Sequence, residues 1–187
     1  MKVLRPGSSS LAAHWLECPQ SDEPGAVSRP PDRGRGVSQP GRGRGLFQGL
    51  TKLTLDAKGR LSVPARHRDA LVAQCEGRLT LTRHPDGCLL LYPRPRWEHK
   101  RAELVRLAHS RRVLQRILIG SAVDLDLDSA GRILISPELR TAAGLEREVF
   151  LSGVGEHFEL WDPARMEELE KKQLAEGGLD AADDFSV

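Results

Sequence analysis

Cysteine is scarce in this chain, with Cys18, Cys75 and Cys88 the only three among 187 residues. An odd count without CxxC spacing argues against a disulfide framework or a zinc site, and a reducing compartment becomes the default. Long apolar runs are missing too: no stretch approaches the roughly 18 to 20 apolar residues of a membrane span. The N-terminus lacks a charged-then-apolar secretory pattern, because Leu11-Ala12-Ala13 runs into His14. The expected location is the cytoplasm, without a membrane partner.

Signatures of catalysis are equally sparse. The histidines, His14, His67, His84, His99, His109 and His157, are scattered without i, i+4 or HxH spacing. No Ser or Cys sits in a nucleophile elbow, and no phosphate-cradling glycine loop precedes a helix. Asp124, Asp126 and Asp128 alternate like a metal ladder, but Leu125 and Leu127 between them argue for an edge strand with one wet face. The reading is a non-enzyme with no metal, no cofactor and no small-molecule substrate. Aromatic residues make up 4% of the chain. Tyr92 and Trp161 hold equivalent places at strand ends before Pro, and read as core or interface plugs rather than base-stacking platforms.

What the chain does have is a sentence written twice. Leu55-Asp56-Ala57-Lys58-Gly59-Arg60-Leu61-Ser62-Val63-Pro64 recurs 72 residues later as Leu127-Asp128-Ser129-Ala130-Gly131-Arg132-Ile133-Leu134-Ile135-Ser136-Pro137. Each copy reads strand, Asp-to-Gly turn, Arg, strand, then Pro opening a helix. Asp56 and Asp128 suit the first turn position, where a carboxylate accepts backbone N–H bonds, and Gly59 and Gly131 suit a left-handed one. Leu53, Leu55, Leu61 and Val63 alternate with polar neighbours across the turn, which predicts a half-buried hairpin. The match continues: Tyr92-Pro93 corresponds to Trp161-Asp162-Pro163, and the distance from motif Gly to strand Leu is 32 residues in one copy and 29 in the other. The unit is a β-β-α-β-β motif, small enough to need its twin to build a core.

Between these landmarks, Pro64 opens a helix over Ala65–Gln74, and Leu79–Thr82 pairs with Cys88–Tyr92 around His84-Pro85-Asp86-Gly87. Trp97–Ile119 is helical with a break near Ser110, its apolar stripe packing between repeats or subunits. Ser136-Pro137 starts a helix that Gly144 stops. Val149–Gly153 pairs with His157–Trp161, and Asp162-Pro163 opens a last helix running into a charged tail.

Charge is unevenly spread. Residues 1–45 carry seven Lys/Arg against four Asp/Glu, 46–165 nineteen against fifteen, and 166–187 two against seven. The net +2 thus hides a mildly basic middle and an acidic tail. Residues 1–45 are rich in Gly, Pro, Ser and Arg, too poor in apolar surface to offset the entropy of ordering. They read as a disordered extension; an RG-rich nucleic-acid tail, or an upstream misread of a gene whose translation starts at Leu46 from a non-ATG codon, stay open beside it.

Arg60 and Arg132 are the central cations. Pairing with Asp56 and Asp128 would stiffen each turn; a guanidinium on a rigid edge also bonds phosphates or guanine edges bidentately. Lys58 stands at the first turn tip, where the second copy has Ala130. That asymmetry makes copy one the better DNA reader and leans copy two towards assembly. Lys52, Arg66, Arg68 and Arg83 are the other cations near the first hairpin.

Phe47-Gln48-Gly49 entering a strand, Asp56 to Pro64, Leu89-Leu90-Leu91-Tyr92-Pro93, Arg116-Ile117-Leu118 and Asp128 to Arg132 together closely resemble the MraZ family, bacterial transcriptional regulators with two SpoVT–AbrB-type repeats. The resemblance covers about residues 46–170. It implies an α+β fold in which tandem β-β-α-β-β repeats form a swapped-hairpin, AbrB-like double-psi-type β-barrel with peripheral helices. It implies a homo-oligomeric ring, nucleoid-associated, binding double-stranded DNA at direct promoter repeats and repressing the division and cell-wall cluster containing its own gene. The family's arginine motif falls on Asp56 and Arg60 with Lys58, and on Asp128 and Arg132. The expected DNA-binding residues are Lys58, Arg60, Lys52, Arg66 and Arg132, with Asp56, Gly59, Asp128 and Gly131 as structural turn residues. The expected divisions are the extension 1–45, repeat one at 50–96, linking helices at 97–121, repeat two at 122–165 and an acidic C-terminal segment at 166–187. A ring-forming assembly protein, and an antitoxin-like DNA binder with a toxin on its tail, remain the alternatives.

Overall fold

The structure, a computed structural model, describes residues 46–176. The expectations placed on 1–45 and on the end of the acidic tail lie outside the described residues.

The first copy folds as β1 (Phe47–Thr54), β2 (Arg60–Ser62), α1 (Ala65–Cys75), β3 (Arg78–Arg83), β4 (Leu89–Pro93) and α2 (Arg94–Val105). A 3-10 turn at His109–Arg111 and α3 (Arg112–Leu118) lead to the second copy. There follow β5 (Val123–Asp126), β6 (Arg132–Leu134), α4 (Pro137–Ala143), β7 (Glu148–Gly155), β8 (His157–Trp161) and α5 (Pro163–Ala175). Helix starts follow local chemistry. The Ser136 hydroxyl accepts from the Leu139 N–H, and the Asp162 carboxylate from the Arg165 N–H at 3.0 Å, each just ahead of a Pro that sacrifices no bond. The break in the long helical segment falls around Leu107–Ala108, slightly ahead of the expected Ser110.

Strand pairing is where the structure departs from the sequence reading. Among the described residues the single bridge Leu55↔Leu61 spans the turn of copy one and none spans that of copy two, so the expected extended hairpin is not there. Instead β2 pairs with β6 of the other copy, in the register Arg60↔Leu134, Leu61↔Ile133 and Ser62↔Arg132. β1 pairs with β7 along its whole length and β5 with β3, so the first strand of each copy is held by the third strand of the other. The result is an antiparallel six-stranded sheet, β1-β7-β8-β4-β3-β5, and a two-stranded ribbon, β2-β6. Each copy lends its opening strands to its twin because it has no other partner for their N–H groups, which cannot be left unpaired in a core.

Crossed pairing gives one shared core. Leu61, Leu71, Leu79, Leu81, Leu89 and Leu91 of copy one interlock with Ile133, Ile135, Val149, Leu151, Phe158 and Leu160 of copy two. β4 is buried on both faces: Leu89 and Leu91 enter this core, while Leu90 and Tyr92 join Trp97, Leu104 and Trp161 in a second cluster beneath the helices. Tyr92 and Trp161 are thus packed inside, as the repeat comparison implies. β5 is one of the two edge strands, with Asp124 and Asp126 exposed on its wet face.

Leu61 has no exposed surface and sits in the ribbon at the centre of the core. Leu61→Ala should therefore destabilise the fold by about 3 kcal/mol, from lost transfer energy plus the cavity left behind. Chemical denaturation of the two proteins checks this; a change within error of zero would mean the shared core is not as built.

Candidate nucleic-acid interface

The ribbon sorts its side chains by strand alternation. Leu61 and Ile133, paired with each other, are 0% and 1% exposed and face the core. Arg60, Ser62, Arg132 and Leu134 therefore share the opposite face, and all four reach solvent. Because Arg60 pairs with Leu134 and Arg132 with Ser62, the two arginines are diagonal neighbours, one from each copy. Their side chains are about equally exposed, 33% and 34%.

Both turns are built alike. Gly59 N–H donates to the Asp56 carbonyl at 2.9 Å and Asp56 N–H to the Arg60 carbonyl at 3.0 Å; Gly131, Asp128 and Arg132 repeat the pattern. Asp56 Oδ1 accepts from the N–H groups of Lys58 and Arg60, each at 2.9 Å, while Oδ2 takes Arg60 Nε at 2.6 Å. Asp128 does the same for Ala130 and Arg132, its Oδ2 accepting Arg132 Nε at 2.9 Å. Gly59 and Gly131 have φ of +79° and +73°, a left-handed conformation that a side chain would strain. The turns are also tied across the copies: Ile135 N–H donates to the Gly59 carbonyl and Val63 N–H to the Gly131 carbonyl, both at 2.9 Å.

The Arg60 backbone N–H, then its guanidinium and the Lys58 N–H, hold the Asp56 carboxyl down from 3.8 to about 2. Asp128 is lowered by the same set of donors around Arg132 and Ala130. Each carboxylate thus aims its arginine while engaging only one side of the fork. Among the described residues, copy one bonds its guanidinium through Arg60 Nε alone; in copy two Asp128 Oδ2 also lies 2.9 Å from Arg132 Nη2. Donor groups remain on both for a partner.

The other expected site residues are distributed unequally. Lys58 is exposed at the first turn tip and forms no ion pair among the described residues. Lys52 lies on β1 and pairs across strands with Glu148 at 2.9 Å. Arg66, early in α1, donates from Nη2 to Thr51 Oγ1 and from Nε to His67 Nε2. The geometry therefore gathers Lys58, Arg60 and Arg132 on the ribbon and its turns, and gives Lys52 and Arg66 protein partners of their own. Arg140 is a cation that sequence reasoning missed. A Cβ at Gly59 would stand 2.9 Å from its Cζ, so its guanidinium lies against the first turn although it comes from α4 of the second copy. Arg68 of α1 lies against Gly131 in the same way. The available signal was positional, since Arg68 and Arg140 follow the motif arginines at the same offset in the two copies.

Comparison with known proteins agrees with this duplicated design. The family model described as "MraZ protein, putative antitoxin-like" matches residues 46–117 and again residues 118–184. The chain belongs to the MraZ family. A protein of Herminiimonas arsenicoxydans named transcriptional regulator MraZ is 60% identical over 141 residues, covering 75% of this chain and 99% of that protein. Proteins of the same name from Bordetella pertussis (strain Tohama I) and Burkholderia cenocepacia (strain J2315) are 59% and 58% identical over the same length and shares. These MraZ relatives are named as regulators of transcription, not as enzymes. The family resemblance read from the turn motifs is borne out. No helix of the described residues is long and apolar enough to cross a membrane.

A depressed carboxyl contributes stability above its ordinary value, and that contribution is lost as pH falls through the folded value. The order that Asp56 gives the first turn should be complete above about pH 3.8 and disappear as pH falls towards 2. A carboxyl-carbon NMR titration reads this directly; an Asp56 midpoint at its ordinary value would contradict the described turn.

Proposed function

We propose that this chain, a DNA-binding transcriptional regulator by family, reads duplex DNA with the ribbon face bearing Arg60 and Arg132 and with Lys58 at the first turn. The observation that carries the proposal is the diagonal placement of two carboxylate-aimed guanidinium groups on the solvent face of a strand pair whose other face is core. A two-stranded ribbon fits the major groove, and an arginine fork there matches guanine O6 and N7 or a phosphate. Lys52 and Arg66 fit a secondary role at the phosphate backbone, since each already has a protein partner to exchange.

Phosphate contacts supply affinity and steep salt dependence, and the few base contacts supply register. One ribbon is a small footprint. Several copies in a closed homo-oligomeric ring, set against direct repeats in a promoter, gain affinity through effective concentration without any new contact. We accordingly propose a ring acting at direct repeats upstream of the cluster containing its own gene, in the cytoplasm at the nucleoid, with repression as the outcome. The crossed ladders support the swapped-hairpin barrel named from the family resemblance. They also support repeats over 50–96 and 122–165 joined by the helices of 97–121.

Arg60→Ala should weaken binding to promoter DNA by about tenfold or more, the loss expected of one bidentate contact. The melting temperature should stay close to wild type, because the arginine is on the wet face. Gel shifts at fixed salt, paired with a melting curve, check both. Unchanged affinity at wild-type stability would remove Arg60 from the interface, and a ring with no salt-sensitive DNA affinity would favour the assembly-protein reading.

A further inference from the structure

Arg140 Nε is buried and has no hydrogen-bond partner among the described residues, an unusual state for an atom of a charged group. Its guanidinium is pressed against the backbone of the first turn, 2.9 Å from where a Gly59 Cβ would be, between Lys58 and Arg60 in sequence. It also lines a depression whose walls include Asp56, Ala57, Glu146 and Arg147. Asp56 and Glu146 are the acids of that lining, yet neither Arg140 nor Arg147 forms an ion pair among the described residues. The second turn has the matching arrangement. Arg68 lies against Gly131 and spends its Nε on the Val63 carbonyl at 2.6 Å.

From this we propose that each DNA-reading turn carries a further DNA-facing cation donated by the helix of the opposite repeat: Arg140 at the Gly59 turn and Arg68 at the Gly131 turn. The proposal rests on the DNA reading above and extends it. Arg60 is aimed by its own turn, but Arg140 reaches that turn only because the two copies exchange strands. A phosphate at the first turn would meet Lys58, Arg60 and Arg140 together, and Arg147 at the rim of the depression. At the second turn, where Ala130 replaces the lysine, Arg132 and Arg68 leave the site one cation short of the first. Copy two then contacts DNA beside copy one, with one cation fewer, rather than only leaning towards assembly.

The test is the salt dependence of binding to a duplex carrying the DNA immediately upstream of this chain's own coding sequence. Arg140→Gln keeps most of the stem and removes the charge. It should weaken binding severalfold and flatten the slope of log affinity against log salt by about one unit, the value for one lost phosphate contact. Arg140→Lys should restore the slope. A wild-type slope in Arg140→Gln would overturn the proposal while leaving Arg60 and the DNA reading untouched; a wild-type protein without salt-sensitive affinity would sink that reading itself. Should Arg140→Gln fold poorly, dicarbonyl labelling of wild-type arginines decides the matter. Protection of Arg140 by the duplex, alongside Arg60, is the expected result, and equal labelling of Arg140 with and without DNA overturns it.

Discussion

The antiparallel pairing of β2 with β6 is the constraint on which the rest of the molecule depends. It is short, three residues a side, but it crosses from one copy to the other and does two jobs at once. Inward, Leu61 and Ile133 meet in the middle of the core. Outward, it sets Arg60 and Arg132 on one face at a separation fixed by the pleat. Reciprocal bonds from Ile135 to the Gly59 carbonyl and from Val63 to the Gly131 carbonyl stop either turn from moving without the other. Neither copy could hold its arginine in place alone, since among the described residues one bridge closes the turn of copy one and neither turn has a ladder of its own.

Electrostatics then converts a rigid ribbon into a recognition surface. An arginine fork free in water would pay rotamer entropy on meeting DNA; one already hydrogen-bonded to a carboxylate has paid part of it. The aspartates do not cancel the arginines, because each engages one side of the fork and leaves donors outward. Being acceptors for two backbone N–H groups each, they stay ionised across the physiological range and keep the turn shape as well. Asp56 and Asp128 thus hold the fold of the turn and the aim of the guanidinium through one set of bonds.

Local features of this design were legible in the sequence and long-range ones were not. Asp56, Gly59, Asp128 and Gly131 declared a turn because a side chain bonding its own neighbouring backbone is a short-range event. Ser136, Asp162 and the prolines after them declared helix starts for the same reason. The duplication told that two copies share a core. What alternation in Leu53, Leu55, Leu61 and Val63 cannot tell is which strand lies alongside, and the hairpin it suggested gives way to pairing with the other copy. The same blindness hid Arg140, which in sequence is one more polar residue on a short helix. Only the strand exchange carries it to the opposite turn.

A photoreactive residue at position 62, between the two arginines on the ribbon's solvent face, asks the central question most directly. With duplex DNA from upstream of the chain's own coding sequence, irradiation should link DNA to position 62 and not to position 168 on the exposed side of α5. Linkage at 168 with none at 62 would mean that DNA meets another face, and that the paired arginines serve the fold alone.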